Sequence, residues 1–157
     1  MSSLTDKIER TILALIEEQD GSCEIARNAF AAELRVAPSQ ITYVISTRFS
    51  HRQGYLVESR RGGAGYVRIR RVPHKESADH MMHLVHAVSE FLSQRDAYVL
   101  VEQLYRAELI SQSTRELMKT ALSDESLRAI RGATRDRVRA DLFSNMLTLL
   151  AVMEELP

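Results

Sequence analysis

The chain has 157 residues, of which 45% are hydrophobic and 27% are charged, and its formal net charge at pH 7 is zero. This composition excludes a disordered chain, and no apolar run reaches the roughly 18 residues that a membrane helix needs. The N-terminus lacks the apolar core of a signal peptide, so we expect a cytoplasmic protein with no membrane partner.

The first predicted helix lies near the N-terminus. Its apolar residues recur at helical spacing and form one stripe: Leu4, Ile8, Ile12, Leu15 and Ile16. Gly21 is a typical stop signal after this pattern. The single cysteine, Cys23, has no second cysteine or histidine at metal or redox spacing, so we expect an inert packing residue.

A short strand and a short helix are predicted next. The stretch SCEI is compatible with a strand, and Asn28 is a good N-cap for a helix that continues through AFAAELR. This helix is expected to bury Phe30, Ala31 and Leu34.

The third helix provides the first functional signal. Pro38 suits the first helical position, because its missing N–H is one that no helix start can satisfy internally. The buried stripe is predicted to be Ile41, Val44, Ile45 and Phe49. The other faces are polar and uncharged up to Arg48, with Ser39, Gln40, Thr42, Tyr43, Ser46 and Thr47. A solvated face usually collects Lys and Glu, whereas hydroxyl and amide groups suit hydrogen bonds to base edges and phosphates.

The stretch GYLVESRRGGAGYVRIRR predicts a β-hairpin. Its arms, YLVES and YVRIR, flank a glycine-rich turn, and Val67 and Ile69 alternate with polar residues at the period of a half-buried strand. Positive charge is concentrated here, since residues 48–71 hold seven arginines and one acid, Glu58. A single arginine would indicate a solvated strand face, but seven beside a polar helix indicate a polyanion as partner.

The turn between the arms has three interpretations. A phosphate-binding loop is disfavoured because a strand follows the glycines instead of a helix. An ordinary hairpin turn needs only two residues with positive φ, fewer than the glycines present. A wing fits best, because a thin backbone enters a narrow groove while flanking arginines reach its acceptors. Arg61, directly before Gly62, is predicted to lie at the groove floor.

Helix, short helix, turn, helix and hairpin follow in the order of a winged helix-turn-helix. We therefore predict a mainly α fold with a small β-wing: a winged helix-turn-helix DNA-binding domain at 1–72 and a helical dimerisation and regulatory domain at 73–157. Further helices are predicted over 78–94 (apolar positions Met82, Val85, Val88, Phe91 and Leu92), 96–108, 111–122 and 134–155. Short helices form a thin core, so this second domain is expected to pair with a second copy.

Neither a catalytic site nor a metal site is predicted, and we expect neither an enzyme nor a cofactor. His80, His83 and His86 lie three residues apart on a predicted helix, a spacing that could hold a metal, but no Cys or Glu completes the set. A partly exposed helix surface is the favoured interpretation, with pH sensing as a further alternative.

Residues 38–71, PSQITYVISTRFSHRQGYLVESRRGGAGYVRIRR, closely resemble the class-three stress gene repressor family, CtsR, of low-GC Gram-positive bacteria. LYRAELISQSTRELM and TRDRVRADLFSNMLTLL resemble its helical domain. The resemblance implies a nucleoid-associated homodimer that binds double-stranded DNA at tandem-repeat operators and represses class III heat-shock genes of the clp type. It also implies release by heat, and by a protein arginine kinase with its activator, which phosphorylates arginines and directs the repressor to the Clp protease machinery.

The residues predicted to bind DNA come from the third helix and the wing: Ser39, Gln40, Thr42, Tyr43, Ser46, Thr47, Arg48, Arg60, Arg61, Gly62, Gly63, Ala64, Gly65 and Arg68. The resemblance places Arg61 in the minor groove, and Arg61 is also the phosphorylation candidate. The chain departs from the usual family pattern at Ala64, within the glycine run, and at Thr42 and Ser46, where the family tends to have Asn. The alternative function is a winged-helix protein-interaction module that binds an acidic protein partner.

Overall fold

The computed structural model describes residues 3–60 and 65–153, and the chain divides into two compact units, Met1–Pro73 and His74–Pro157. Among the described residues, the first unit contains α1 (Leu4–Glu18), β1 (Ser22–Ala26), α2 (Arg27–Leu34), α3 (Pro38–Arg48), a 3-10 turn (His51–Gln53), β2 (Tyr55–Arg60) and β3 (Tyr66–Arg71). The second contains α4 (Glu76–Ala87), α5 (Gln94–Arg106), α6 (Gln112–Ala121) and α7 (Ala133–Val152). The predicted fold class, mainly α with a small sheet, is confirmed.

Helix α1 begins at a capped N-terminus and buries one stripe. The Ser3 side chain accepts a hydrogen bond from the Asp6 N–H (3.1 Å), and Asp6 accepts one from the Ser3 N–H (3.3 Å). These bonds satisfy donors that a helix start otherwise leaves unpaired. The predicted stripe is confirmed for its fully buried isoleucines, Ile8, Ile12 and Ile16.

Helix α2 begins before the predicted N-cap. Asn28 is the second residue of the helix, and the N-cap is Ala26, which makes no side-chain cap. The reason is that β1 leads directly into α2: Ala26 is still paired with Tyr66 of β3, and the Arg27 N–H donates to the Gly65 carbonyl (3.4 Å). Strand pairing therefore overrides the local capping preference.

The three strands form one antiparallel sheet in the order β1-β3-β2. Alternation along β3 buries Val67 and Ile69 on one face and leaves Arg68 and Arg70 on the other. The predicted hairpin is confirmed, and SCEI contributes the third strand, β1.

The core of the first unit joins its helices to the sheet. From α3 and the residue after it, Ile41, Val44, Ile45 and Phe49 are all buried, as predicted. Cys23 of β1 belongs to the same cluster, and burial raises the pKa of its thiol to about 11. The thiol is therefore protonated at neutral pH, which suits a packing residue.

Helix α4 is shorter than the predicted span 78–94. It ends at Ala87, after which the backbone is extended, and Ser93 is the N-cap of α5. The apolar residues at helical spacing therefore continue through the connection between two helices. In that connection Leu92 is buried, whereas Phe91, predicted to share the apolar stripe, is 48% exposed.

A buried arginine connects the segments of the second unit. Arg139 of α7 is fully buried, and its Nε and Nη1 donate to the carbonyls of Leu122 (2.6 Å) and Leu92 (2.9 Å). Nη1 also donates to Asp136 (2.6 Å), and Nη2 forms an ion pair with Asp124. The guanidinium thus holds the segments before α5 and after α6 against α7.

None of the described helices is long and apolar enough to cross a membrane.

Candidate nucleic-acid interface

Helix α3 presents an uncharged, hydrogen-bonding surface, which we call the α3 face: Ser39, Gln40, Thr42, Tyr43, Ser46 and Thr47. All six side chains are exposed. At roughly 100° per residue, Ser39, Thr42, Tyr43 and Ser46 occupy one third of the helix circumference, on the side away from the buried Ile41. Gln40 and Thr47 lie together on one side of them. The structure therefore brings the six predicted helix residues together on one accessible surface.

Three hydroxyl groups of the α3 face donate to the backbone of their own helix. Thr42 Oγ1 donates to the Pro38 carbonyl (3.3 Å). Ser46 Oγ and Thr47 Oγ1 both donate to the Tyr43 carbonyl, at 3.0 and 2.8 Å. This arrangement is common for Ser and Thr inside helices. It uses the hydroxyl proton and leaves oxygen lone pairs available to accept a hydrogen bond.

Arg48 lies on a different side of α3 from this face. Its position is roughly 180° around the helix from Ser39, and its Nη1 pairs with Glu9 (2.8 Å) and Asp6 (3.6 Å) of α1. Hydrogen bonds from Ser3 are the main cause of a lowered pKa at Asp6, and the charge of Arg48 adds to it. The structure thus places Arg48 with the acids of α1 and away from the other predicted helix contacts.

The β2–β3 hairpin leads into the predicted wing. The backbone of Arg60, at the end of β2, pairs with Tyr66, at the start of β3. Gly65 has a φ of +62°, a left-handed conformation that glycine adopts without strain. The predicted contacts Arg61, Gly62, Gly63 and Ala64 lie outside the described residues, as does the side chain of Arg60.

On the outer face of the sheet, one arginine is paired with a carboxylate and another lies in register with two. Arg70 forms an ion pair with Glu58 of the neighbouring strand. Arg68, the predicted contact on β3, is partly exposed and lies between Glu24 of β1 and Glu58 of β2 in the strand register. Opposite charges at such cross-strand positions attract each other.

Arg71, at the end of β3, is also paired. It forms an ion pair with Glu17 of α1, and this hydrogen bond raises the pKa of the guanidinium. The sequence count of seven arginines against one acid therefore overstates the free positive charge, because the acids of α1 and β1 lie outside residues 48–71.

Arg27 is a candidate contact that the sequence pattern does not reveal. It is the first residue of α2, and its backbone N–H donates to the carbonyl of Gly65, the last residue of the predicted wing. Its side chain is partly exposed, and its Nε, like that of Arg70, is buried without a hydrogen-bond partner among the residues that the structure describes. A guanidinium in this position suits a DNA phosphate. Only the pairing of β1 with β3 brings Arg27 to the wing, so no local motif could indicate it.

A capped turn sets the direction in which β2 leaves α3. Gln53 accepts a hydrogen bond from the Ser50 N–H (3.0 Å) and donates one to the Thr47 carbonyl (3.1 Å). Gly54 follows with a φ of +88°. The turn thereby connects the end of the α3 face to the first strand of the hairpin.

The three histidines of α4 lie on the surface of the second unit. His80, His83 and His86 are exposed. Within residues 3–60 and 65–153, no three His, Cys, Asp or Glu side chains are placed to hold a metal ion.

Comparison with known proteins relates both units to one family. Residues 3–73 match the model of the CtsR N-terminal HTH domain, and residues 76–148 match that of the CtsR C-terminal dimerization domain. The transcriptional regulator CtsR of Staphylococcus epidermidis is 33% identical over 151 residues, which cover 96% of this chain and 98% of the relative. Its counterpart in Lactiplantibacillus plantarum is 38% identical over 125 residues, 80% of each chain. A crystal structure of CtsR in complex with a 26-bp DNA duplex aligns with a TM-score of 0.50 and 35% identity, over 95% of this chain and 99% of that chain.

Proposed function

The chain belongs to the CtsR family, and we propose that it is a sequence-specific DNA-binding repressor of transcription. The main support is the α3 face, because six exposed and uncharged hydrogen-bonding side chains on one helix match what base edges in a major groove offer. The DNA complex of a related chain, 35% identical, is consistent with the same role.

In this proposal the α3 face reads the major groove and the wing enters the adjacent minor groove. Arg61, with Arg60 beside it, supplies the cations at the groove floor, and Gly62, Gly63, Ala64 and Gly65 provide a backbone thin enough to fit. Narrow minor grooves attract arginine because their electrostatic potential is strongly negative.

We propose that seven arginines of the first unit divide into two groups. Arg27, Arg60, Arg61 and Arg68 bind DNA. Arg48, Arg70 and Arg71 mainly hold the unit together, because each is engaged by a carboxylate of another element or strand. This revises the earlier expectation for Arg48, whose charge is shared with two acids of α1.

The second unit is proposed to join two copies into a homodimer. Residues 76–148 match a dimerization domain, which supports this assignment. A dimer presents two winged units, and each is proposed to occupy one repeat of a tandem-repeat operator.

We further propose that the regulated genes are class III heat-shock genes of the clp type and that repression ends in two ways. Heat loosens the glycine-rich wing. A protein arginine kinase with its activator phosphorylates Arg61, and the modified repressor is degraded by the Clp machinery. A phosphate on Arg61 adds about 1.5 to 2 negative charges that face the DNA phosphates, so binding is lost. Family membership is the support for these steps.

Salt-dependent binding to two duplexes tests the proposal. One duplex is a clp-type promoter fragment with tandem repeats, and the other has the same base composition in scrambled order. We expect tighter binding to the promoter fragment and a steep loss of affinity as salt rises. Equal affinity for both duplexes would contradict sequence-specific repression. Capture of an acidic protein in the absence of specific duplex binding would support the protein-interaction alternative.

A further inference from the structure

Hydroxyl groups of the α3 face already donate their protons within the helix, which affects how they contact bases. The inference drawn from this rests on the proposed DNA-binding function. Thr42 and Ser46 both belong to the α3 face, and both donate their proton to a helix carbonyl. They are four residues apart, so they are separated by about 6 Å along the helix axis. This distance is close to two base-pair steps of roughly 3.4 Å, so the two hydroxyls can reach different base pairs of a duplex.

For each hydroxyl, contact with an acceptor on a base requires its bond to the helix carbonyl to break, whereas contact with a donor on a base does not. To donate to a base, Thr42 has to give up its bond to the Pro38 carbonyl, and Ser46 has to give up its bond to the Tyr43 carbonyl. To accept from a base, neither bond changes, because the oxygen lone pairs are separate from the proton. A base acceptor facing such an oxygen also leaves two acceptors without a proton between them, which costs free energy when water is excluded.

The major groove offers hydrogen-bond donors from only two bases. These are the N6 amino group of adenine and the N4 amino group of cytosine, whereas guanine and thymine present acceptors at the corresponding positions. We propose that Thr42 and Ser46 are specificity-determining acceptors, which select a base with an amino group (adenine or cytosine) on the strand they contact. Gln40 and Tyr43 retain donors and can serve the acceptor-bearing bases of the same site.

A functional-group deletion in the DNA, combined with removal of each hydroxyl, tests this assignment. The full-length chain first selects its preferred duplex from a random library. Adenines in that duplex are then replaced one at a time by purine, which lacks the N6 amino group, and cytosines by 2-pyrimidinone, which lacks the N4 amino group. Affinities are measured for the unmodified chain, for Thr42→Val, which has the same shape without the hydroxyl, and for Ser46→Ala.

For each of the two hydroxyls, we expect one position in the duplex where loss of the base amino group weakens binding of the unmodified chain by about 3- to 10-fold. The same deletion should have no effect on the variant that lacks the matching hydroxyl. Thr11→Val is a matched control, because Thr11 of α1 makes the same bond to its own helix, to the Lys7 carbonyl (2.9 Å), but lies outside the α3 face. This variant should respond to every modified duplex as the unmodified chain does.

Two results would overturn this inference and leave the proposed DNA-binding function intact. One is the result that, at every position in the duplex, deletion of the amino group weakens DNA binding by the hydroxyl variants as much as binding by the unmodified chain. The other is coupling of Thr42 or Ser46 to 7-deazapurines, which lack the N7 acceptor, because the hydroxyl would then be a donor. If the unmodified chain selects no sequence, the proposed function fails, and this inference fails with it. The side chains of Thr42 and Ser46 are exposed and that of Thr11 is partly exposed, and equal unfolding temperatures would verify that the variants are folded.

Discussion

Replacing Arg27 by Gln tests the division of the arginines between DNA and protein partners. The side chain of Arg27 is partly exposed, and its backbone N–H donates to the carbonyl of Gly65 in the wing. In each protomer, we expect the guanidinium of Arg27 to neutralise one DNA phosphate. The Arg27→Gln dimer therefore loses two phosphate contacts. Each contact contributes about 0.9 to the slope of log K against log salt, so the slope falls by about 1.8. Relative to about 1 M salt, this change of slope corresponds to roughly a 30-fold loss of affinity at about 0.15 M salt.

Arg71→Gln is the matched control for this experiment. It removes the same charge, but Arg71 is paired with Glu17 and lies opposite Tyr55, at the end of the hairpin away from the turn. Fluorescence anisotropy titrations of one operator duplex, between about 0.1 and 0.3 M salt, provide both slopes. The slope of the Arg71 variant should equal that of the unmodified chain. Equal losses in the two variants, or an unchanged slope in the Arg27 variant, would refute the division.

Three further predictions concern stability and reactivity. Ile12→Ala removes a fully buried side chain from the first core, so the free energy of unfolding in urea should fall by about 2–5 kcal/mol, and an unchanged midpoint would contradict that packing. Arg139→Met leaves the carbonyls of Leu92 and Leu122 without their donor, so the second unit should lose about 2–6 kcal/mol of stability, from ~1–3 kcal/mol for each acceptor. Thermal unfolding measures this loss, and an equally stable variant would show that the buried guanidinium is dispensable. At about pH 8 the Cys23 thiol is almost entirely protonated, since burial raises its pKa to about 11, and alkylation should be much slower in the folded chain than in urea. Similar rates in both conditions would show that the thiol is accessible.

Local periodicity was sufficient to predict the helix that forms the candidate site. Ile41, Val44 and Ile45 recur three and four residues apart, which specifies the buried side of α3 and therefore its exposed side. Pro38 specifies where the helix begins. These signals act within one or two helical turns, so tertiary contacts leave them unchanged.

The same reasoning was wrong about the end of α4. Apolar residues continue at helical spacing to Leu92, but the helix ends at Ala87 and the next begins after Ser93. Leu92 is buried although it lies in a connection. Apolar spacing reports which residues are buried, and a connection can bury a side chain as well as a helix can, so spacing alone does not locate the boundary.

Residue types within short stretches were enough to predict the order of the winged helix-turn-helix elements, the uncharged surface of α3 and the resemblance to the CtsR family. Which arginines have carboxylate partners depends instead on how the chain folds. Arg48 and Glu9 are 39 residues apart in the chain, and Arg71 and Glu17 are 54 apart. Arg27 likewise reaches the wing only through the register of β1 against β3. The charge available to a polyanion depends on distances in space, and the folded arrangement of α1 and the sheet determines those distances.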